Sequence, residues 1–476
     1  MNSLAQIPLC IDLDGTLSPS DTLAESVCGV LKKSPLSAFL FPIWLLKGRA
    51  HLKGEFAKRF QPDAKLLPIH PEILEYARAQ KQEGRKLVLV TAADRAIAEA
   101  VQKETGLFDE VIASDGTVNL SGKNKAAELE SRFGAKGFDY IGNSHVDLPV
   151  WQAARVGHVV SSNASLIGMA RKVATMDRVF DAPSASLKTW AHALRVHQWA
   201  KNLLLLVPLA GAHKWTDLSR AGSTLLGMMA FSICASSVYL LNDLLDLESD
   251  RHHPSKRFRP LASGAIPILH ALALVPVLLV IATGLAAKLD GGFLAIFGLY
   301  YGLTLLYSFV IKQVGLLDVL VLAGLYAIRI QAGGYAARVP VSDWLLLFSI
   351  FVFLSLAFAK RYTELKGHRA ASEQIKGRGY SRGDAELLST MGVGSGYLSV
   401  LVLGLYVSNP AVIELYHRPR VLWLVCPVLL HWISRVWLLA HRGRMHDDPI
   451  LFALRDPQSW LSALLIAIIG AFAGPT

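Results

Sequence analysis

From residue 196 onward the chain returns repeatedly to long apolar runs, and no other feature constrains its folding as strongly. The runs cover residues 196–212, 221–241, 267–287, 292–311, 315–332, 343–359, 388–408, 420–440 and 458–474. Each approaches the roughly 20 residues that a helix needs to cross the hydrocarbon core of a bilayer. Within lipid every backbone N–H and C=O must be satisfied inside its own segment, so such runs form helices. A water-soluble fold has no room to bury nine of them. The expectation is an all-α membrane domain over 191–476 with nine transmembrane helices and a polar cavity open to the cytoplasm. Residues 1–180 lack such runs and alternate short apolar strands with mixed helical segments, which predicts a Rossmann-like α/β domain. The Asp181–Ser186 stretch, rich in Ser, Ala and Pro, reads as part of a linker over 181–190.

Charge sets the expected orientation. The opening Ile7–Asp12 run is too short and too polar for a signal-peptide core, so the N-terminal domain is expected in the cytoplasm. The basic loops 242–266, 360–386 and 441–457 then fall on the same side, as the positive-inside rule requires. The net charge of +11 is spread over these loops, and no zinc-finger or RNA-binding signature accompanies it, so nucleic acid is not an expected partner. Four scattered cysteines (Cys10, Cys28, Cys234 and Cys426) form neither a metal-ligand pair nor a disulfide framework.

The second apolar run ends in Asn242-Asp243-Leu-Leu-Asp246-Leu-Glu-Ser-Asp250, followed by Lys256 and Arg259-Pro260. Asn242, Asp246 and Asp250 are four apart and share a face if the helix continues, with Asp243 beside them. Clustered carboxylates repel one another unless a cation neutralises them, and Mg²⁺ bridging to substrate phosphates suits oxygen ligands. Other polar groups recur at the ends of the runs. Lys201 and Asn202 lie near the start of the first, Tyr307 and Lys312 close the fourth, and Asp318 and Arg329 lie within the fifth. Lys360, Arg361, Tyr362 and Glu364 end the sixth. Ionisable groups within apolar segments are costly unless paired or facing a polar cavity, which marks Asp318 and Arg329.

In the N-terminal domain, a strand over Ile7–Leu13 delivers Asp12-Leu-Asp14-Gly15-Thr16 to its carboxyl end. Two carboxylates on one side of an extended segment suit attack on phosphorus by one and proton transfer by the other. Thr91 ends a second strand, Lys123 and Lys125 precede a helix, and Asn143 and Asp147 follow a further strand. Residues 18–70 are expected to form a small helical cap. Within it Ala38–Leu46 is unusually apolar: it could line a pocket or lie on the bilayer, with packing inside the cap the ordinary reading.

In this order the N-terminal elements resemble the haloacid-dehalogenase-like phosphatases over about residues 7–165. The resemblance implies that Asp12 is the nucleophile, Asp14 the acid/base and Thr91 a phosphate binder. Lys123 or Lys125 is then the motif lysine, with Lys125 favoured, and Asp12, Asp14, Asn143 and Asp147 form a Mg²⁺ site. Asn143 departs from the family's usual Asp and brings no charge. The NDxxDxxxD segment with its downstream Lys256 and Arg259-Pro260 resembles the UbiA-type intramembrane prenyltransferases across residues 190–476. A second aspartate-rich motif is missing. That absence, with Asp250–Lys256, Tyr307–Lys312 and Lys360–Glu364, resembles the decaprenyl-phosphate phosphoribosyltransferase branch.

This resemblance implies a bacterial inner-membrane enzyme that transfers 5-phosphoribosyl from phosphoribosyl diphosphate to polyprenyl (decaprenyl) phosphate. Asn242, Asp243, Asp246 and Asp250 would hold Mg²⁺ and the departing diphosphate. Lys201, Asn202, Lys256, Arg259, Tyr307, Lys312, Arg329, Lys360, Arg361, Tyr362 and Glu364 would bind the substrates. The phosphatase domain would remove the 5-phosphate from the product. Two alternatives stand beside this: transfer of a prenyl group from prenyl diphosphate to an aromatic or other hydrophobic acceptor, with an independent phosphatase, and a non-catalytic lipid-binding scaffold. Oligomeric state is left open.

Overall fold

The computed structural model describes residues 7–115, 118–182, 185–366, 379–414, 416–445 and 449–474. Pro183 and Ser184 of the expected linker, and parts of the basic loops 360–386 and 441–457, lie outside them. The chain divides into two compact units, Met1–Leu194 with Tyr239–Pro276, and Arg195–Val238 with Val277–Thr476.

The first unit is built on a six-stranded parallel sheet: β1 (Leu9–Ile11), β2 (Leu87–Asp94), β3 (Glu110–Ser114), β4 (Asp139–Gly142), β5 (Gly157–Val160) and β6 (Met176–Phe180). Their order in space is β3-β2-β1-β4-β5-β6. The central strand has no exposed residue, because helices cover both faces of a parallel sheet. Leu9, Ile11, Leu87 and Leu89 enter one core, while Cys10, Val88, Val90 and Tyr140 enter the other. β1 lies in parallel register with both β2 and β4. The loops after these three strands therefore emerge together at the carboxyl edge, where open α/β sheets place their ligands.

The expected cap is helical. Asp21 caps Thr22–Lys33 by accepting from the Ala24 N–H, and further helices cover Pro35–Leu40, Phe41–Leu46 and Arg49–Arg59. The cap's apolar segment is not packed away, contrary to the ordinary reading of its sequence. Trp44 turns inward onto Val30 and Phe56, but Leu36, Phe39 and Leu46 are 75%, 77% and 88% exposed.

The C-terminal half is all-α. Seven helices among the described residues are long and apolar enough to cross a membrane, not nine. They lie in Leu218–Leu245, Ile268–Ala286, Gly291–Phe309, Leu317–Ala337, Asp343–Lys366, Arg382–Val407 and Pro419–His441. The first expected span instead breaks into a 3-10 segment, Val196–Leu206, and a short helix, Val207–Gly211. Pro208 has no N–H to continue a ladder and sits in the first turn of that new helix. The last run, Pro457–Ala473, forms an apolar helix of 17 residues, at the lower limit of what a crossing takes and shorter than the seven. Leu317–Ala337 is among the most enclosed of the seven, whereas Ile268–Ala286 turns most of its apolar surface outward.

Candidate active sites

The first site forms where β1, β2 and β4 end. Gly15 has φ +73°, which calls for glycine, and a Cβ built there would lie 2.0 Å from Asn143 Nδ2 and push that side chain aside. The resulting turn aims Asp14 back at the cap, where its Oδ1 accepts from the Thr22 N–H at 2.8 Å and its Oδ2 from the Thr22 hydroxyl at 3.3 Å. Thr91 is fully buried, and its hydroxyl accepts from the Ala93 N–H at 3.0 Å. Of the two lysines, Lys125 is buried and Lys123 exposed. Lys125 Nζ donates to Asp12 Oδ1 at 2.8 Å and to the Tyr140 hydroxyl at 3.0 Å. Tyr140 passes the link on to Asp147 Oδ1 at 2.9 Å. The other oxygen, Asp147 Oδ2, accepts from Asn143 N, Ser144 N and Ser144 Oγ at 3.0–3.1 Å.

Burial dominates the electrostatics here. It pushes the Asp12 carboxyl up to about 6, against the pull of Lys125. It pushes Asp14 up to about 7, with the nearby Asp21 charge adding to it and the Thr22 N–H opposing it. A carboxyl poised near neutrality can both give and take a proton at physiological pH. Burial pulls the Lys125 ammonium down, but the charges of Asp12 and Asp147 outweigh it and hold the pKa above the ordinary value. Lys125 thus lies between Asp12 at 2.8 Å and Asp147 at 3.9 Å. Both Asp147 oxygens are engaged by Tyr140, Asn143 and Ser144. Asp147, expected as a Mg²⁺ ligand, therefore fixes the Asn143 loop instead, and a cation would fall to Asp12, Asp14 and Asn143. Sequence reasoning missed Lys53 and Tyr140. Lys53 reaches in from the cap, donating to the Ala92 carbonyl at 2.8 Å and to Asn119 Oδ1 at 3.0 Å. It lines one cavity with Asp14, Thr22 and Asp94. No motif surrounds it, so only the fold reveals it; Tyr140, two residues before Gly142, adjoined a segment already singled out.

The acid-rich segment also belongs to the first unit. The helix Leu218–Leu245 is interrupted at Asp246 and resumes at Leu247–His252. The interruption changes the face that regular spacing implied. Arg259 Nη1 gathers Asp243 Oδ1 at 3.1 Å and Asp250 Oδ2 at 2.6 Å, whereas Asp246 Oδ1 accepts from Lys32 Nζ at 3.0 Å. Asn242 is half-buried, and Lys256 is exposed in a 3-10 turn. Among the described residues no three His, Cys, Asp or Glu side chains come together closely enough to hold a metal. Two carboxylates converging on one cationic nitrogen nevertheless fit Mg²⁺, which is commonly held by one or two carboxylates completed by substrate phosphates.

The second unit holds two polar networks. Arg329, buried, donates to Asn202 Oδ1 at 2.9 Å, the Leu325 carbonyl at 2.6 Å and the Tyr300 hydroxyl at 2.9 Å. Lys201 lies 5.8 Å from the centre of the Tyr326 ring. Arg361, 1% exposed, engages Asp318 and Glu364 at 2.5 Å each and the Tyr307 hydroxyl at 2.7 Å. Tyr380 also donates to Asp318, and the Tyr362 hydroxyl meets His441 Nδ1 at 2.9 Å. Lys312 and Lys360 are half-buried, at the end of one helix and within the last turns of another. The three nitrogens of Arg329 and of Arg361 are thus engaged within the protein.

The model of the UbiA prenyltransferase family matches residues 203–472. The chain belongs to that family. The haloacid dehalogenase-like hydrolase model matches residues 9–152. This UbiA protein is therefore a prenyltransferase-type membrane domain fused to a hydrolase domain, both from enzyme superfamilies, in a multi-pass membrane protein. The uncharacterized protein y4nM of Sinorhizobium fredii is 38% identical over 466 residues, 97% of this chain and 90% of its own length. Decaprenyl-phosphate phosphoribosyltransferase of Mycolicibacterium smegmatis is 38% identical over 180 residues, 37% of this chain and 56% of that enzyme. The solved structure of a UbiA homologue from Archaeoglobus fulgidus bound to GPP and Mg²⁺ is 16% identical, with a TM-score of 0.46. That match covers 60% of this chain and 98% of the homologue.

Proposed function

We propose that the membrane domain transfers 5-phosphoribosyl from phosphoribosyl diphosphate to polyprenyl (decaprenyl) phosphate, and that the hydrolase domain then removes the 5-phosphate. The observation that carries this reading is the charge around Arg361. Asp318 and Glu364 are both engaged by the buried Arg361, which, unlike the part-exposed Arg259, has no room to withdraw. The described residues of this region therefore do not favour a second carboxylate site for a metal-bound prenyl diphosphate. The kinship with decaprenyl-phosphate phosphoribosyltransferase supports the ribosyl donor.

In the transfer, an oxygen of the lipid phosphate forms a bond to the anomeric carbon. The bond from that carbon to the diphosphate breaks, and its electron pair leaves with the diphosphate. Asp243 and Asp250, with Asn242 and Asp246 nearby in the chain, would hold Mg²⁺, which supplies positive charge to the departing diphosphate. Arg259 is released from the two carboxylates to bind a phosphate, and Lys256 adds charge. Lys312 and Lys360 receive the lipid phosphate, Arg361 orients Tyr307, and Arg329 holds Asn202 in place beside Lys201 in sequence.

In the hydrolysis, Asp12 attacks phosphorus and Asp14 protonates the departing ribose oxygen. Water then attacks the aspartyl phosphate while Asp14 takes its proton. Asp12, Asp14 and Asn143 would hold Mg²⁺, with Asp147 positioning the Asn143 loop; Lys125 offsets the charge, and Thr91 and Lys53 bind the substrate's anionic groups. Both sites would face the cytoplasm.

The test supplies purified full-length protein with Mg²⁺, polyprenyl phosphate and ribose-labelled phosphoribosyl diphosphate, and follows label into lipid by mass spectrometry. Labelled polyprenyl-phosphoryl ribose is expected. An unlabelled lipid fraction, with prenyl transfer to an aromatic acceptor in a parallel reaction, would replace this assignment with the prenyl-diphosphate one.

A further inference from the structure

We propose that the cap segment Pro35–Leu46 is seated in the bilayer interface, where it anchors the hydrolase domain to the lipid surface. Its outer face presents Leu36, Phe39, Leu40, Ile43, Leu45 and Leu46, each at least 40% exposed. A contiguous apolar display of this kind on a folded surface marks an interaction site. It is also held in shape from behind. Trp44 packs edge-on against Phe56 at 5.4 Å and tilts against Phe41 at 5.7 Å, so the exposed side chains ride on a fixed support rather than a loose loop.

The occupant follows from what lies next to the segment. The cap helix Thr22–Lys33 packs its Ala24 and Cys28 into one core with Leu240, Leu244 and Leu247. Those leucines belong to the end of a helix long enough to cross a membrane, and to the turn just beyond it. At the end of the same cap helix, Lys32 Nζ reaches Asp246 at 3.0 Å. Pro35 comes three residues later, within about 11 Å of Lys32 along even a fully extended chain. The apolar segment therefore begins beside the point where a membrane helix leaves the bilayer. The charge around it matches lipid headgroups. Lys33 and Lys47 bracket it and are exposed, and no acidic residue occurs in the sequence between Glu25 and Glu55. An apolar face between lysines suits the boundary between anionic headgroups and acyl chains. This inference rests on membrane residence and not on the reaction assigned above.

The test places nitroxide labels on full-length Cys426→Ser protein carrying Phe39→Cys or Leu46→Cys, with Lys103→Cys on an exposed helix as the reference. The other native cysteines are buried. Each protein is reconstituted in discs of phosphatidylcholine with phosphatidylglycerol. Collision rates with oxygen, which concentrates in lipid, are compared with those of a water-soluble nickel chelate. The oxygen-to-nickel ratio at positions 39 and 46 is expected to exceed that at position 103 several-fold. Ratios equal to the reference would show the segment in water and overturn the proposal. Protection from both reagents would show a protein surface, such as a second copy of the chain, covering it and would overturn it equally.

Discussion

The hydrolase site and the acid-rich segment both set carboxylates against a cation, yet they are built in opposite ways. Lys125 and Asp12 have side chains only 4% and 11% exposed, fixed by a strand end, a helix start and Tyr140. Arg259 is 27% exposed and sits beyond a short 3-10 turn, where it bridges two acids from an interrupted helix. The first site is preorganised, so its cation is a permanent part of the machinery. The second holds its acids with a residue able to give way, as the proposed binding of metal and diphosphate together would require. A parallel sheet supplies rigid strand ends, while a helix emerging from a membrane supplies only its last turn and the loop after it.

The sharpest way to break this comparison is to remove the nucleophile. Asp12→Asn is expected to lower dephosphorylation by about 10⁴-fold or more while leaving ribosyl transfer intact, measured as separate lipid products. An equal loss of both would show that the two sites do not act independently.

The next effect concerns the joint between cap and acid-rich segment. Arg251 donates to Glu25 Oε1 and Oε2 at 2.7 and 2.8 Å, and both side chains are almost wholly buried. Glu25→Ala leaves a buried, unpaired guanidinium, which costs on the order of 3–5 kcal/mol. Denaturant unfolding followed by hydrogen exchange in β1 and the cap should show that loss. The double change Glu25→Leu with Arg251→Met should recover most of it.

Arg259→Ala sharpens the contrast from the other side. Its partial exposure predicts a folded protein whose transferase activity falls by about 10²–10³-fold, the magnitude typical of a lost charge stabiliser. Dephosphorylation of a supplied 5-phosphorylated lipid should be unchanged. Unfolding instead would mean that the bridge is structural.

The smallest effect is acid sensitivity of the hydrolase domain. Burial pulls the His158 imidazole down to about 4. The unfolded chain takes its proton near 6.5, so stability present above that pH is lost as pH falls toward 4, by about 1.4 kcal/mol per pH unit. Over the same range the raised Asp12 and Asp14 carboxyls act in the opposite sense. Lowering the pH from 7.5 to 5 should leave the unfolding midpoint of the natural protein lower, relative to its value at pH 7.5, than the same change leaves that of His158→Leu.

These features were unequally legible in the sequence. DxDGT, Thr91, Asn143 and Asp147 could be read because strand ends fix their relations, and apolar length alone located seven spans. Residues 196–212 have the composition of a span, but Pro208 divides them into shorter pieces. Regular spacing put Asp246 with Asp250, because nothing local announces the break at Asp246. Arg329 and Arg361 looked like ligand-binding cations, whereas their partners Tyr300, Asn202, Asp318 and Tyr307 are assembled by packing; only Glu364, three residues from Arg361 on the same helix, is local. Lys53 and the Glu25–Arg251 pair join segments distant in the chain, which no local pattern records.

The most direct test of the two-step account compares lipid products of the natural protein and Asp14→Asn, each given Mg²⁺, phosphoribosyl diphosphate and polyprenyl phosphate. Polyprenyl-phosphoryl ribose from the first and its 5-phosphorylated form from the second are predicted. The same product from both, phosphorylated or not, would contradict the hydrolase domain's place in the sequence.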